Sequence, residues 1–247
     1  MHRSTFFIEP MAPDQDRTYI RGEEFTHLHR VLRLQTGADV RLIDGQGGEY
    51  RARISRMAPN QAEVTITARD MAPPSRLYLR LFQAVPRSKK MDMIVQKLTE
   101  IGVQEVIPVI SEHALVESRS EAKWQERLGR WQKIALEACK QSGRAVLPVI
   151  GQPLDFAAAV AKMRRSDEKM ILWEREQAVS FREILATSPR GRQVAILIGP
   201  EGGFSAPEIA LAREAGLVAV SLGRLILRTE TAAMVAAAIV QFAWGDL

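Results

Sequence analysis

From Leu77 onward the sequence repeats one texture, a short apolar run followed by a stretch with apolar residues at helical spacing. The runs "LYLRLFQAV", "VQEVIPVI", "LPVI", "KMILWE", "VAILIG" and "VAVSLG" read as buried strands. Between them, "SKKMDMIVQKLTEIG" puts Met91, Ile94, Val95, Leu98 and Ile101 on one helical face and stops at Gly102. Residues 118–142 read as a long helix that opens with a Ser118-x-x-Glu121 capping box, packs Trp124, Leu128, Trp131, Ala135 and Ala138, and ends at Gly143. Further helices are expected around "DFAAAVAKM", "SFREILA", "PEIALAREA" and "TAAMVAAAIVQFAW". Such alternation predicts an α/β fold: a mostly parallel sheet with helices on both faces, its ligands beyond the carboxyl ends of the strands.

The texture is different before Pro73 and Pro74, neither of which can continue a strand or helix. There "DVRLID", "GEYRARISRM" and "AEVTITAR" alternate with period two and are joined by the turns "DGQGG" and "APN", which predicts a small, hairpin-rich β domain. Ahead of them, "EEFTHLHRVLRL" places Phe25, Leu28, Val31 and Leu32 at helical spacing, with Arg30 and Arg33 turned outward. The expected division is therefore 1–72 and 73–247.

Composition excludes several classes. The single Cys139 rules out an internal disulfide framework and a Cys-rich zinc site, and His2, His27, His29 and His113 show no metal-ligand spacing, so no metal is expected. No run of about 18 apolar residues could span a bilayer, and the start "MHRSTFFIEP" is too short in apolar residues for a signal peptide, so a soluble cytoplasmic protein is expected. The net charge of +5 is unevenly spread. Between Arg30 and Arg56 six Arg face three acids, and between Arg119 and Arg144 seven bases face three acids. Such clusters suit phosphate.

Two loops stand where an α/β sheet places its ligand. "ILIGPEGGFS" runs from a strand into Gly199, Gly202 and Gly203, which let a ligand approach the backbone, before a helix with the capping box Ser205-x-x-Glu208. It matches neither common nucleotide loop, and Glu201 would repel a phosphate. The next, "SLGRLILRTETAA", spends Leu222, Leu225, Ile226 and Leu227 on apolar side chains, which predicts a pocket wall with Arg228, Thr229 and Glu230 beside it.

The combination "GPEGGFS", "SLGRLILRTETA", "QKLTEIGV" and "EACKQSGR", with "HRVLRL" near the start, resembles the RsmE family of 16S ribosomal RNA uridine-N3 methyltransferases in the SPOUT superfamily, over nearly the whole chain. The resemblance implies an N-terminal PUA-like β-barrel domain for RNA and a SPOUT domain with a C-terminal trefoil knot. It also implies S-adenosylmethionine as cofactor, a homodimer, and 16S rRNA of the small ribosomal subunit as partner. By position it assigns cofactor contacts to Leu172, Glu174, Leu197, Gly199, Gly202, Gly203, Leu222, Gly223, Ile226, Leu227 and Thr229. The RNA-binding candidates are Arg3, His27, Arg30, Arg33, Lys89, Lys97 and Arg144. Arg87, Ser88 and His113 depart from the family's usual residues.

Uridine N3 carries a proton at neutral pH, so methylation there needs help to remove it. Glu201 or Glu230 is the candidate base, and Arg228 the candidate for stabilising charge on the uracil oxygens. Two other readings differ in class: a 2′-O-ribose methyltransferase of the same superfamily, whose loop after "SL" is normally Asn-rich, and a non-catalytic RNA-binding assembly factor.

Overall fold

The computed structural model describes residues 4–114, 120–176, 178–187 and 193–247. The expected capping box at Ser118 and the candidate Arg3 lie outside them. Backbone contacts divide the chain into two units, one of Met1–Pro74 with Leu136–Leu147, the other of Ser75–Ala135 with Pro148–Leu247.

In the first unit, β1 (Thr5–Phe7), β2 (Arg17–Arg21), β3 (Asp39–Ile43), β4 (Gly48–Ala58) and β5 (Gln61–Met71) form one sheet in the order β1-β3-β4-β5-β2. β3, β4, β5 and β2 pair antiparallel, while β1 runs parallel to β3. The period-two alternation gives the sheet one apolar face, and Phe6, Ile20, Val40, Leu42, Ala52, Ile54 and Val64 from all five strands meet in one core. The turn after β3 is built by Asp44, whose Oδ1 accepts from the Gln46 and Gly48 N–H groups at 2.8 Å. Gly45 and Gly47 there adopt φ of +75° and +105°.

The helix expected around residues 23–34 is a correction. A five-residue α1 (Gly22–Thr26) passes into a π-helical turn, His27–Val31, closed by Leu32 N–H to His27 O at 3.0 Å. The wider turn breaks the 3.6 spacing. Phe25 and Leu28 stay buried, but Val31 is carried outward to 65% exposure.

The second unit holds a seven-stranded sheet. β6 (Tyr78–Ala84), β7 (Glu105–Ile110), β8 (Val149–Ile150), β10 (Glu168–Leu172), β11 (Gln193–Ile198) and β12 (Val218–Val220) are ordered β12-β10-β11-β6-β7-β8, with β9 (Leu154–Asp155) also on β7. Every pairing is parallel. Helices α2 (Lys90–Ile101), α3 (Glu121–Ser142), α4 (Phe156–Met163), α5 (Phe181–Thr187), α6 (Ala206–Glu214) and α7 (Thr229–Trp244) supply its coverings.

Two cores follow from the pleat. On one face Leu79, Leu81, Ile196 and Ile198 pack with Ile94 and Leu98 of α2, Trp124 and Trp131 of α3, and Ala233 and Val240 of α7. On the other, Phe82, Ala84, Ala195 and Leu197 pack with Phe156 and Val160 of α4 and Ile209 of α6. Burying one such aliphatic or aromatic side chain stabilises by ~1.5–3 kcal/mol. The helix ends follow the sequence: Gly102 caps α2 at φ +92°, and Ser205 and Glu208 make both bonds of the capping box on α6. No described helix is long and apolar enough to cross a membrane.

Candidate active site

β12, β10 and β11 are neighbours and parallel, so their carboxyl ends at Val220, Leu172 and Ile198 lie side by side. The three following segments enclose a cavity of about 360 Å³. Leu172 and Glu174 line it from β10, Gly199, Gly202 and Gly203 from β11, and Leu222, Gly223, Ile226, Leu227 and Thr229 from β12. All three catalytic candidates, Glu201, Arg228 and Glu230, belong to these segments, and Glu201 and Arg228 are themselves in the lining.

The side chain of Leu197 is not in the lining. Its side chain is fully buried with Ala195 and Phe82 in the core beneath α4 and α6, and the cavity is lined instead by its neighbour Ile198. Side chains alternate along a strand, so only one of the two can face the cavity.

The glycine loop is held tightly from several sides. Gly203 has φ +68°, and a Cβ built on it would stand 2.8 Å from Glu174 Oε1. His113 Nδ1 lies 3.1 Å from Gly202 O and 3.2 Å from Gly203 O, so with the proton on Nδ1 it donates to those carbonyls. Thr229, buried at the start of α7, donates to Gly199 O at 2.6 Å and accepts from Gln83 Nε2 at 2.9 Å. Gln83 sits on β6 in line with Leu79 and Leu81, the one polar side chain at that end of an apolar strand face.

Glu201 turns out of the cavity's floor toward α2. Its carboxylate pairs with Lys90 Nζ at 2.9 Å and accepts from the Arg87 N–H at 3.2 and 3.3 Å. Burial would raise its pKa, but the Lys90 contact and the backbone donors together hold it below the usual carboxylate range. Lys90 Nζ also lies 3.3 Å from Glu230 Oε2, a buried oxygen with no hydrogen-bond partner among the described residues. Hydrogen bonding to Glu201, ahead of a smaller contribution from Glu230, raises the Lys90 pKa. Arg228, at the N-cap of α7, is exposed at the cavity rim.

On the side of the loop after β10, Trp173 lines the cavity, and its Nε1 is buried with no partner among the described residues. Arg213 lies over its ring at 5.4 Å and pairs with Glu176 at 2.6 Å. Sequence reasoning passed over Lys90, Gln83 and Glu176. Gln83 alone left a signal, a lone amide inside an apolar run.

The RNA-binding candidates are dispersed. His27, Arg30 and Arg33 are exposed on or just after the π-helical turn, Arg33 with φ +51°. His29 of the same turn stacks on Phe25 at 5.5 Å. Lys89 is exposed at the N-cap of α2, whereas Lys97 is engaged by both oxygens of Glu100 at 2.9 Å. Arg144 is half-buried in the first unit, where desolvation lowers its pKa. Among the described residues no group of three or more His, Cys, Asp or Glu could hold a metal ion.

The RNA methyltransferase domain family matches residues 73–241, and the RNA methyltransferase PUA domain family matches residues 20–67. The fold and the site therefore define an RNA methyltransferase with an attached PUA domain. The chain is 34% identical to the ribosomal RNA small subunit methyltransferase E of a Synechocystis strain, over 86% of this chain and 68% of that one. It is 27% identical to the Bacillus subtilis protein of the same name, over 90% and 89%. A ribosomal RNA small subunit methyltransferase E from Neisseria gonorrhoeae bound to S-adenosylmethionine superposes with a TM-score of 0.88, at 32% identity over the full length of both chains. A Legionella pneumophila protein in complex with the same cofactor gives 0.89, at 32% identity and again over both full lengths. The chain belongs to the ribosomal RNA small subunit methyltransferase E family.

Proposed function

We propose that the chain transfers a methyl group from S-adenosylmethionine to N3 of a uridine in 16S ribosomal RNA of the small subunit. The observation that carries this reading is the cavity itself. It joins a backbone cradle at Gly199–Gly203, an apolar wall of Leu222, Leu225, Ile226 and Leu227, and the exposed guanidinium groups of Arg224 and Arg228, beyond three adjacent parallel strands. The fit to the cofactor is specific at two points: a Cβ at Gly203 would close the cradle against Glu174, and Trp173 Nε1 offers a buried donor with no acceptor among the described residues.

When bound, S-adenosylmethionine supplies an electrophilic methyl group on a positively charged sulfonium. Leu225 and Ile226, exposed at 80% and 82%, give the wall apolar surface that would shield the bound cofactor from water. Arg228 faces the negative charge that spreads onto the uracil oxygens as N3 loses its proton, an effect worth ~10²–10³ in rate. Both carboxylates pair with Lys90, but Glu201 also accepts from the Arg87 N–H, so it anchors the loop. Glu230, on the first turn of α7 beside Arg228, takes the N3 proton on a carboxylate oxygen. Residues 1–72 deliver the RNA, and the knotted, dimeric and cytoplasmic enzyme that the family implies belongs to the same reading.

The test is two-sided. Purified protein with labelled S-adenosylmethionine and small subunits lacking the modification should yield 3-methyluridine in the 16S strand, read by nucleoside mass mapping. A label on ribose O2′, or cofactor binding without any transfer, would overturn the assignment.

A further inference from the structure

Lys90 opens α2, a place where a cation is disfavoured by the partial positive charge of the helix N-terminus. It is kept there in company with two carboxylates from elsewhere in the chain. Glu201 comes from the loop between β11 and α6 at 2.9 Å, and Glu230 from the first turn of α7 at 3.3 Å. Among the described residues the ammonium is the one cation that pairs with both. We infer that Lys90 is a positioning residue for methyl transfer: it ties the cofactor loop to the start of α7 and thereby fixes Glu230 close to Arg228, which lines the cavity.

The inference rests on the reading of Glu230 as proton acceptor. Three features make the bridge more than a surface ion pair. The Lys90 and Glu201 side chains are 29% and 27% exposed and that of Glu230 is 13% exposed, so water screens them only in part. The far side of Glu201 is closed by the Arg87 N–H, which leaves its carboxylate little freedom to swing. Glu230 Oε2 makes no hydrogen bond among the described residues, so the Lys90 ammonium at 3.3 Å is the charge that offsets its burial. The other charged groups at this end of α2 are Arg87 and Lys89, both with exposed side chains, Asp92 in its first turn, which pairs with Arg130 of α3 at 3.0 Å, and Arg228 at the N-cap of α7.

Lys90→Met and Lys90→Arg test the idea on the full-length protein, with methyl transfer to small subunits followed and cofactor affinity measured by calorimetry. Misplacing the acceptor should lower kcat of Lys90→Met by about 10–100-fold. The KM for RNA should stay unchanged, and Lys90→Arg should recover most of the lost kcat. Because Lys90→Met leaves Glu201 uncompensated, the double variant Lys90→Met/Glu201→Gln provides a second route, and it should fold and remain slow. Wild-type kcat in Lys90→Met, no recovery in Lys90→Arg, or full recovery in the double variant, would overturn the positioning role. Absence of uridine methylation by the wild-type protein would instead overturn the functional reading on which it rests.

Discussion

Gly203 and Glu174 face each other across the cavity so closely that a methyl group on the one would lie 2.8 Å from Oε1 of the other. The contact joins the loop after β11 to the loop after β10, and the φ of +68° at Gly203 is one that a branched residue adopts only under strain. Gly203→Val should therefore weaken S-adenosylmethionine binding by more than about tenfold, through a displaced loop rather than a lost fold. Calorimetry alongside thermal unfolding checks this, and near-wild-type affinity would reduce the loop to an ordinary turn.

Arg228 makes the opposite demand. It makes no ion pair among the described residues, and it stands exposed at the N-cap of α7. Its proposed work is done only when charge appears on the uracil, so Arg228→Ala should lower kcat by ~10²-fold or more with little change in cofactor affinity. A collapse in affinity with kcat preserved at saturation would make Arg228 a cofactor ligand.

Glu176 carries a pH dependence whose sign can be worked out. Its Oε1 accepts from the Ala178 N–H at 2.8 Å and the Val179 N–H at 3.3 Å, and Oε2 pairs with Arg213 at 2.6 Å. The Ala178 N–H is the largest contribution; with the Val179 N–H and Arg213 it outweighs burial and depresses the pKa. A depressed native pKa stabilises the fold above the unfolded value, near 4.3, and that stability is lost as pH falls through the native value. Glu176→Gln should thus melt lower than wild type at pH 7, and the gap should narrow steadily below about pH 4. A gap that stays constant down to pH 2 would show that the carboxylate charge is not what braces the Trp173 loop.

The strand and helix alternation was legible because each buried element carries its own period. Met91, Ile94, Val95 and Leu98 read as one face and are one face. The loops that line the cavity were legible for a related reason, since glycines and leucines have no local purpose at strand ends. What was hidden depended on register in three dimensions. Leu197 and Ile198 differ only by which side of the pleat each occupies, and Val31 was misplaced because nothing in "THLHRVL" announces a π-helical turn. Lys90 looked like one more basic residue in "SKKMD", because the two carboxylates that give it meaning lie more than 100 residues away.

The segment Leu136–Leu147 was equally hidden, and it yields the last prediction. Proline pairs suggested a clean cut at residues 73–74, yet the last turns of α3 and the residues after it belong to the first unit. Cys139 and Ala145 are buried with Ile43, and Phe7 packs against them, while Lys140 Nζ pairs with Glu24 at 2.6 Å. Burial pushes the Cys139 thiol up to about 11, so in the full chain almost none of it is thiolate at pH 8. A fragment from Ser75 to Leu247 keeps the cysteine but loses Phe7, Glu24 and Ile43. Its thiol should therefore label with a disulfide reagent at pH 8 at least about tenfold faster than in the full chain, as its pKa falls back toward ~8.5. The same fragment keeps every residue that lines the cavity, so it should still bind S-adenosylmethionine while methylation of small subunits falls to background. Equally slow labelling in the two proteins would mean that Leu136–Leu147 stays buried without the N-terminal strands, and wild-type methylation by the fragment would remove the RNA-delivery role from residues 1–72.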